Sequence, residues 1–141
     1  MAGMEGLGRV FNVVPSASGV HIPLDKASAV SFVTYEDDGS TILTLKESKD
    51  GQSEQNLAVI TRLHKGPGVG GTWTLVEQAA SNTFDLSDDA TNDAVVLTVR
   101  GDQLSDGFNC VELTTDGGSC MAIIHDLVVQ RAGELLAKSV V

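Results

Sequence analysis

The sequence predicts an all-β fold in a single domain spanning residues 1–141, built as a sandwich, a jelly roll or a barrel. Short stretches rich in Val, Ile, Leu, Thr and aromatic residues recur along the chain, as they do in strands. Turn signals based on Gly and Asp separate these stretches at short intervals. The length of 141 residues is typical of one domain, and we find no internal repeat or linker.

Six stretches have the composition of strands: residues 29–35, 41–46, 72–77, 94–100, 108–114 and 120–130. The first two are joined by residues 36–40 (EDDGS) and form the clearest predicted hairpin. The other turn signals lie at residues 49–51, 66–71, 87–89, 105–107 and 116–118.

Residues 53–64 (SEQNLAVITRLH) fit two structures. A helix would place four residues on one face: Leu57, Ile60, Leu63 and His64. A strand would instead point alternate residues from Leu57 to Leu63 the same way. Val, Ile and Thr are stiff at χ1 and fit a pleated surface, which favours the strand. The Gly-rich residues 1–15, which end at Pro15, indicate an extended N-terminal arm, and residues 131–141 indicate a short C-terminal tail.

The charge balance is strongly acidic. Nineteen acidic residues against nine basic ones give a formal net charge of −10, and the basic residues are scattered along the chain. Phosphate binding needs clustered Lys and Arg, so direct nucleic-acid binding is not expected. The acidity suits either solubility or complementarity to a basic partner surface. No apolar run is long enough to predict a membrane span, and residues 1–6 (MAGMEG) lack the features of a secretory signal.

Cys110 and Cys120 flank the predicted turn at residues 115–118. With that loop, Cys120 faces Leu113, and a disulfide to Cys110 is geometrically poor; a loop centred on Thr115 would pair the two cysteines. Without a secretory signal, we expect two reduced, partly buried thiols.

Two loops are candidate ligand sites, and neither has the required spacing. Residues 65–72 (KGPGVGGT) are rich in Gly, but the Lys precedes the glycines and a strand follows, so a surface loop is expected rather than a phosphate loop. The acidic cluster lacks the spacing of a twelve-residue calcium loop and resembles ordinary side-chain-to-backbone turns; it comprises Asp85, Asp88, Asp89 and Asp93.

The histidines give no recognisable metal or catalytic motif. His21, His64 and His125 lie on three separate segments, without the paired short spacing typical of zinc sites. His125 and Asp126 are adjacent, and neighbours on a strand point to opposite faces, so they are not expected to act as a pair. We therefore expect no metal, no cofactor and no catalytic residues, and predict that the chain is not an enzyme.

Trp73 is the only tryptophan, and aromatic residues total 4% of the chain. It fits equally well as a core or rim residue beside the Gly-rich loop and as the anchor of an interface.

Seven segments of turn and strand residues carry a resemblance to a known family. They are FNVVP (11–15), VHIPL (20–24), GPGVGGTWT (66–74), QAA (78–80), TNDA (91–94), LSDGF (104–108) and HDLVVQR (125–131). With these segments, which cover most of the chain, the sequence resembles small virion proteins of tailed phages, particularly those of actinobacterial hosts. The C-terminal GELLAKSVV departs from the Pro- and Asn-rich finish of that family.

The resemblance implies a capsid decoration or minor head protein that binds the major capsid protein and stabilises the shell. Such proteins are β-rich, often form trimers, and carry no catalytic residues. It also implies assembly in the host cytoplasm and a place on the capsid surface of the virion. The candidate interface residues are Phe11, Val13, Val14 and Pro15 in the arm, together with Trp73.

Two alternatives stay open. The chain would otherwise belong to the tail or the head–tail connector, or it would be a carbohydrate-binding β-sandwich module with Trp73 and the acidic turns at its site.

Overall fold

Burial alternates along the strands as a two-layer β structure requires. In β3 (Ala27–Tyr35), the side chains of Val30, Phe32 and Thr34 are buried, while those of the intervening residues reach the surface. The structure is a computed structural model that describes residues 12–25, 27–36, 41–67, 70–86 and 91–127. These residues form two antiparallel β-sheets packed face to face, which confirms the predicted all-β fold as a β-sandwich rather than a closed barrel.

The larger sheet has six strands among the described residues. Numbered in chain order, they are β1 (Asn12–Pro15), β3, β6 (Ile60–Gly66), β7 (Thr74–Ser81), β9 (Ala94–Arg100) and β11 (Ser119–Leu127). Their spatial order is β1-β11-β3-β9-β6-β7, so β1 and β7 are the edge strands.

The smaller sheet is built around β4 (Ile42–Lys49) and β10 (Cys110–Thr115). β2 (Ile22–Pro23) pairs with β10, while β5 (Gln52–Asn56) and the short β8 (Thr83–Asp85) both pair with β4. A 3₁₀ turn, Gly101–Gln103, follows β9.

The core lies between the inner sides of the two sheets. Phe32 and Leu97 of the larger sheet belong to the same buried cluster as Leu43, Leu45 and Leu113 of the smaller one. Removing this apolar area from water is the main term that stabilises the sandwich.

Several predicted strands are confirmed. The range 94–100 matches β9, and residues 53–64 are strand rather than helix, divided between β5 and β6 by residues 57–59. The predicted arm is corrected at its end, because residues 12–15 form edge strand β1 and pair with β11. Residues 1–11 and the predicted tail, residues 131–141, lie outside the described residues.

The hairpin predicted from residues 29–35 and 41–46 is wrong. β3 pairs with β9 and β11, whereas β4 belongs to the opposite sheet, so the chain crosses between layers after Tyr35. The physical reason is that both strands have a fully buried face, and the sandwich buries these faces against each other.

A second crossing joins β10 to β11, which corrects the pairing assumed for the two cysteines. Cys110 lies in the smaller sheet and Cys120 in the larger one. Both are free and are buried more fully than the expected partial burial, and their positions in different sheets keep them from pairing with each other. Among the residues that the structure describes, no helix is long and apolar enough to cross a bilayer.

Candidate functional site

The outward side of the six-stranded sheet is unusually apolar. In β3 the residues that point away from the core are Ser31, Val33 and Tyr35, and the strand register carries each into a row across the sheet. The row through Val33 contains Pro15, Met121 and Val96 on the neighbouring strands. Beyond Val96 the same row continues through His64 to Leu75 on β7.

Trp73 adds a ring to this surface. A Cβ on Gly66 would lie 2.8 Å from Trp73 Cδ2, so the indole packs on the backbone of Gly66, where only glycine leaves room. Gly66 pairs with Ala94, and Ala94 pairs with Tyr35, which places both aromatic rings on the outward side. Trp73 is 45% exposed and Tyr35 is 48% exposed, so Trp73 is a surface residue and not part of the core.

We define the apolar face as the outward-pointing apolar side chains of this sheet. Its members are Val13, Pro15, Val33, Tyr35, Trp73, Leu75, Val96, Met121 and Ile123. Isolated exposed apolar residues are ordinary, but this set spans five strands of the sheet, with only His64 of β6 between Val96 and Leu75. A set of this extent is a candidate contact surface.

Charge is absent from the centre of the apolar face. The three rows that pass through Ser31, Val33 and Tyr35 contain no carboxylate among the described residues, although the chain carries a net charge of −10. Glu77 lies at one margin, on β7 opposite Arg62, and the Asp126 carboxylate lies at another, 2.7 Å from His125 Nδ1. Both carboxylates lie outside the three rows.

A recess opens at one side of the apolar face. β6 and β9 pair over only three residues, His64 to Gly66 with Val96 to Ala94, and then diverge. The gap is a cavity of about 370 Å³, and its lining includes Ile60, Leu63, Thr98 and Gln103. A side chain that protrudes from a partner can enter this recess, whereas the rest of the sheet surface is flat.

The predicted interface residues fall into three groups. Val13, Pro15 and Trp73 lie on the apolar face, whereas Val14 points inward and packs against the core. Phe11 lies outside the described residues. The sequence gives no signal for Tyr35, Leu75 or Met121, because their exposure depends on the register of strands distant in the chain.

His125 and Asp126 form a pair, contrary to the prediction. Asp126 adopts a left-handed backbone conformation (φ 56°), so the two side chains no longer point to opposite faces, and His125 Nδ1 lies 2.7 Å from Asp126 Oδ2. His125 Nε2 lies 2.8 Å from Ser31 Oγ, which in turn lies 2.8 Å from Thr98 Oγ1.

The Ser31–His125–Asp126 array has the order of a nucleophile, a base and an orienting carboxylate. Ser31 nevertheless sits in mid-strand, paired on both sides with Ile123 and Thr98. Its own backbone N–H is committed to the sheet and is not free to act as an oxyanion donor. We interpret the array as a hydrogen-bond network that links the row through Ser31 to the margin at Asp126.

The third histidine, His21, belongs to a polar cluster on the smaller sheet. Its Nε2 lies 3.2 Å from Glu54 Oε1 and 3.8 Å from Glu112 Oε2, and Nδ1 lies 3.2 Å from Ser48 Oγ. Among the described residues, His21, Glu54 and Glu112 are the set with metal-ligand spacing. The sequence does not reveal them because they come from three distant segments.

The remaining candidates are the two cysteines and the predicted acidic cluster. Burial raises the pKa of both thiols, and the carboxylates of Asp50 and Asp25 add to the effect at Cys110, so both cysteines are held protonated and unreactive. Of the predicted acidic cluster, Asp85 and Asp93 are described, while Asp88 and Asp89 lie in an undescribed segment.

Comparison with known proteins identifies no relative of this chain. No protein-family model, no curated protein and no solved structure matches this chain.

Proposed function

We propose that this chain is a structural protein of a tailed-phage virion that decorates the capsid. It binds the major capsid protein through the apolar face and stabilises the assembled shell. The observation that carries this proposal is the uncharged apolar face on a chain of net charge −10.

The apolar face has the composition of an interface. Its exposed members include Trp73, Tyr35 and Met121, residue types enriched where proteins meet. Covering them with a partner removes apolar surface from water, and the two aromatic rings act as anchors. A stable contact of ordinary size covers roughly 800 Å² on each partner, and a six-stranded sheet offers a platform of that order.

The negative charge outside the apolar face influences which surfaces can come into contact. Excess negative charge keeps copies of the chain apart wherever acidic surfaces meet, and the apolar face is where this repulsion is weakest. It therefore suits a capsid subunit as partner and also self-association into a trimer. The resemblance of the sequence to phage virion proteins supports a shell as the assembly.

The test is binding to capsids that have been stripped of this protein. We expect the wild-type chain to co-sediment with them, and the Val33→Glu/Met121→Glu variant to bind at least about 10-fold more weakly, because it places two charges in the apolar face. Gln52→Glu, which adds a single charge, is the control, since Gln52 lies in β5 of the opposite sheet and is exposed. It adds charge without touching the apolar face and should bind as the wild type does.

Two results would contradict the proposal: virions without the chain in stoichiometric amount, or equal binding by the wild type and the doubly charged variant. Quantitative mass spectrometry of purified virions also separates the structural roles. A decoration protein is present in many copies over the shell, whereas a connector protein forms a single ring.

A carbohydrate-binding module is the second candidate, because Trp73 and Tyr35 expose aromatic rings on the same side of the sheet. Sugars stack on such rings. A glycan array probed with the wild type and Trp73→Ala tests it: binding that Trp73→Ala abolishes supports the module, and no binding removes it.

A further inference from the structure

We propose that His21, Glu54 and Glu112 form a binding site for a zinc-class divalent transition-metal ion on the five-stranded sheet. The site is separate from the apolar face and does not depend on the proposed role in a virion.

The strand order brings the three residues together. β10 pairs with β2 on one side, where Val111 is opposite Ile22, so His21 comes beside Glu112. On its other side β10 pairs with β4, and β4 pairs with β5, which carries Glu54. Val111 and Leu113 face the core, so Glu112 between them points outward, towards His21 and Glu54.

The distances suit a shared ion. The ligand atoms of the three residues all lie within 4.8 Å of one another, and the His21 Nε2 to Glu54 Oε1 distance is 3.2 Å. Ligands bound tetrahedrally to Zn²⁺ at about 2.0–2.1 Å are separated by roughly 3.3 Å. Binding therefore needs only a small inward movement of the carboxylates.

Neighbouring groups hold the ligands in place. Ser48 Oγ lies 3.2 Å from His21 Nδ1, so Nδ1–H can donate to Ser48 while Nε2 binds an ion placed between it and the carboxylates. The Gly19 backbone N–H donates to Glu112 Oε2 at 2.8 Å and fixes the second carboxylate. This is how metal sites orient their ligands in advance.

Burial and charge supply the independent argument for a cation. The side chains of His21 and Glu112 are 7% and 3% exposed, and in the described part of the chain His21 is the only cationic partner within 4.0 Å of Glu112. A buried carboxylate needs a paired charge or hydrogen bonds to compensate it. A divalent ion between the two glutamates offsets that charge, while Lys46 reaches only Glu54, at 4.0 Å.

The ligand set selects the metal. One imidazole and two carboxylates suit Zn²⁺ and its neighbours, whereas Ca²⁺ takes 6–8 oxygen ligands and Mg²⁺ favours oxygen in octahedral geometry. The Glu54 side chain is 37% exposed, so ions can enter beside it, and a water molecule can complete the coordination.

The test is a Zn²⁺ titration of the full chain by calorimetry, in reductant and after dialysis against a chelator. We expect one ion per chain. Glu54→Gln should weaken binding at least about 10-fold and His21→Asn about 100-fold, and Ser48→Ala should weaken it about 10-fold through loss of ring orientation. Co²⁺ as a probe should give the visible absorption of a four- or five-coordinate ion in the wild type and lose it in Glu54→Gln.

Matched controls lie elsewhere on the same chain. His64→Asn and Glu77→Gln remove an exposed histidine and an exposed glutamate of the other sheet and should leave the affinity unchanged. Cys110→Ser tests whether the buried thiol in the same sheet holds the ion instead. Glu54 is partly exposed, so Glu54→Gln keeps the fold and gives a clear reading. Three results would overturn the site. They are a lack of saturable binding, equal affinity of Glu54→Gln and the wild type, or loss of binding in Cys110→Ser or His64→Asn.

Discussion

At the scale of single residues, Gly118 shows how one turn residue allows two connections between the layers to pack closely. The loop from β10 to β11 packs against the loop that leaves β3, and Gly118 lies at their contact with φ of 72°. A Cβ at this position would overlap the Tyr35 carbonyl oxygen and lie 2.9 Å from Glu36 Cβ. Both the backbone conformation and the space around it require glycine.

Gly118→Ala should therefore lower the free energy of unfolding by about 3 kcal/mol, from left-handed strain together with displacement of the Tyr35 backbone. Gly70→Ala is the matched control, because Gly70 has φ of 74° but a Cβ there would point into open space, with no contact within 4 Å. It should lose only about 1 kcal/mol. Urea unfolding of the two variants measures the difference, and equal midpoints would show that the contact with Tyr35 does not matter.

At the scale of elements, the turn between β4 and β5 is a two-residue hairpin loop. Lys49 pairs with Gln52, and the intervening Asp50 and Gly51 both have positive φ, 50° and 83°. This is the pattern of a type I′ turn, for which Asp-Gly is a preferred sequence. The Asn109 side chain holds the turn through the Asp50 N–H, at 2.8 Å, and through Asp50 Oδ1, at 2.6 Å.

Replacing Asp50-Gly51 by Ala-Ala should lower the free energy of unfolding by about 2 kcal/mol, because alanine resists positive φ and the bond from Asn109 to the carboxylate is lost. Chemical denaturation followed by circular dichroism measures this. Gly101→Ala should stay within about 0.5 kcal/mol of the wild type, since a Cβ there meets only ordinary contacts, the nearest at 3.7 Å. A double variant as stable as Gly101→Ala would mean that the turn does not direct the hairpin.

Strand positions follow from the sequence far better than strand partners do. Residues 94–100 are recognisable from their Val-rich composition alone, and the Val, Ile and Thr of residues 57–61 correctly exclude a helix. The partner of β3 is not recognisable, because a local turn at residues 36–40 looks the same whether the chain returns to its own sheet or crosses to the other. The apolar face and the His21 cluster depend on those partners, so neither could be predicted from local pattern.

At the scale of the whole molecule, one buried thiol lies in each sheet. Burial raises the pKa of Cys110 and of Cys120 above 9.0, the ordinary value of a cysteine thiol. The folded protein therefore holds these protons more tightly than the unfolded chain does. The resulting stability is fully present below pH 9.0 and is lost as the pH rises through the folded-state pKa.

The urea midpoint should accordingly stay level near neutral pH and fall above about pH 9. The Cys110→Ala/Cys120→Ala variant should show a smaller fall over the same range. If the two sheets unfold together, alkylation of both thiols should follow one urea transition at every pH. Alkylation of Cys110 at a lower urea concentration than Cys120 would show instead that the smaller sheet opens first.

The pairing of β1 with β11 also determines when the sheets can form during translation. Asn12 lies opposite Ile124, and in the other sheet Ile22 lies opposite Val111, so each layer joins an early segment of the chain to a late one. Neither layer can close on the ribosome until nearly all of these residues have emerged. Until then Phe32 and Leu45 have no finished core to enter, and the nascent chain presents them to chaperones. Folding of this sandwich therefore waits until β10 and β11, which supply these late partners, have left the ribosome.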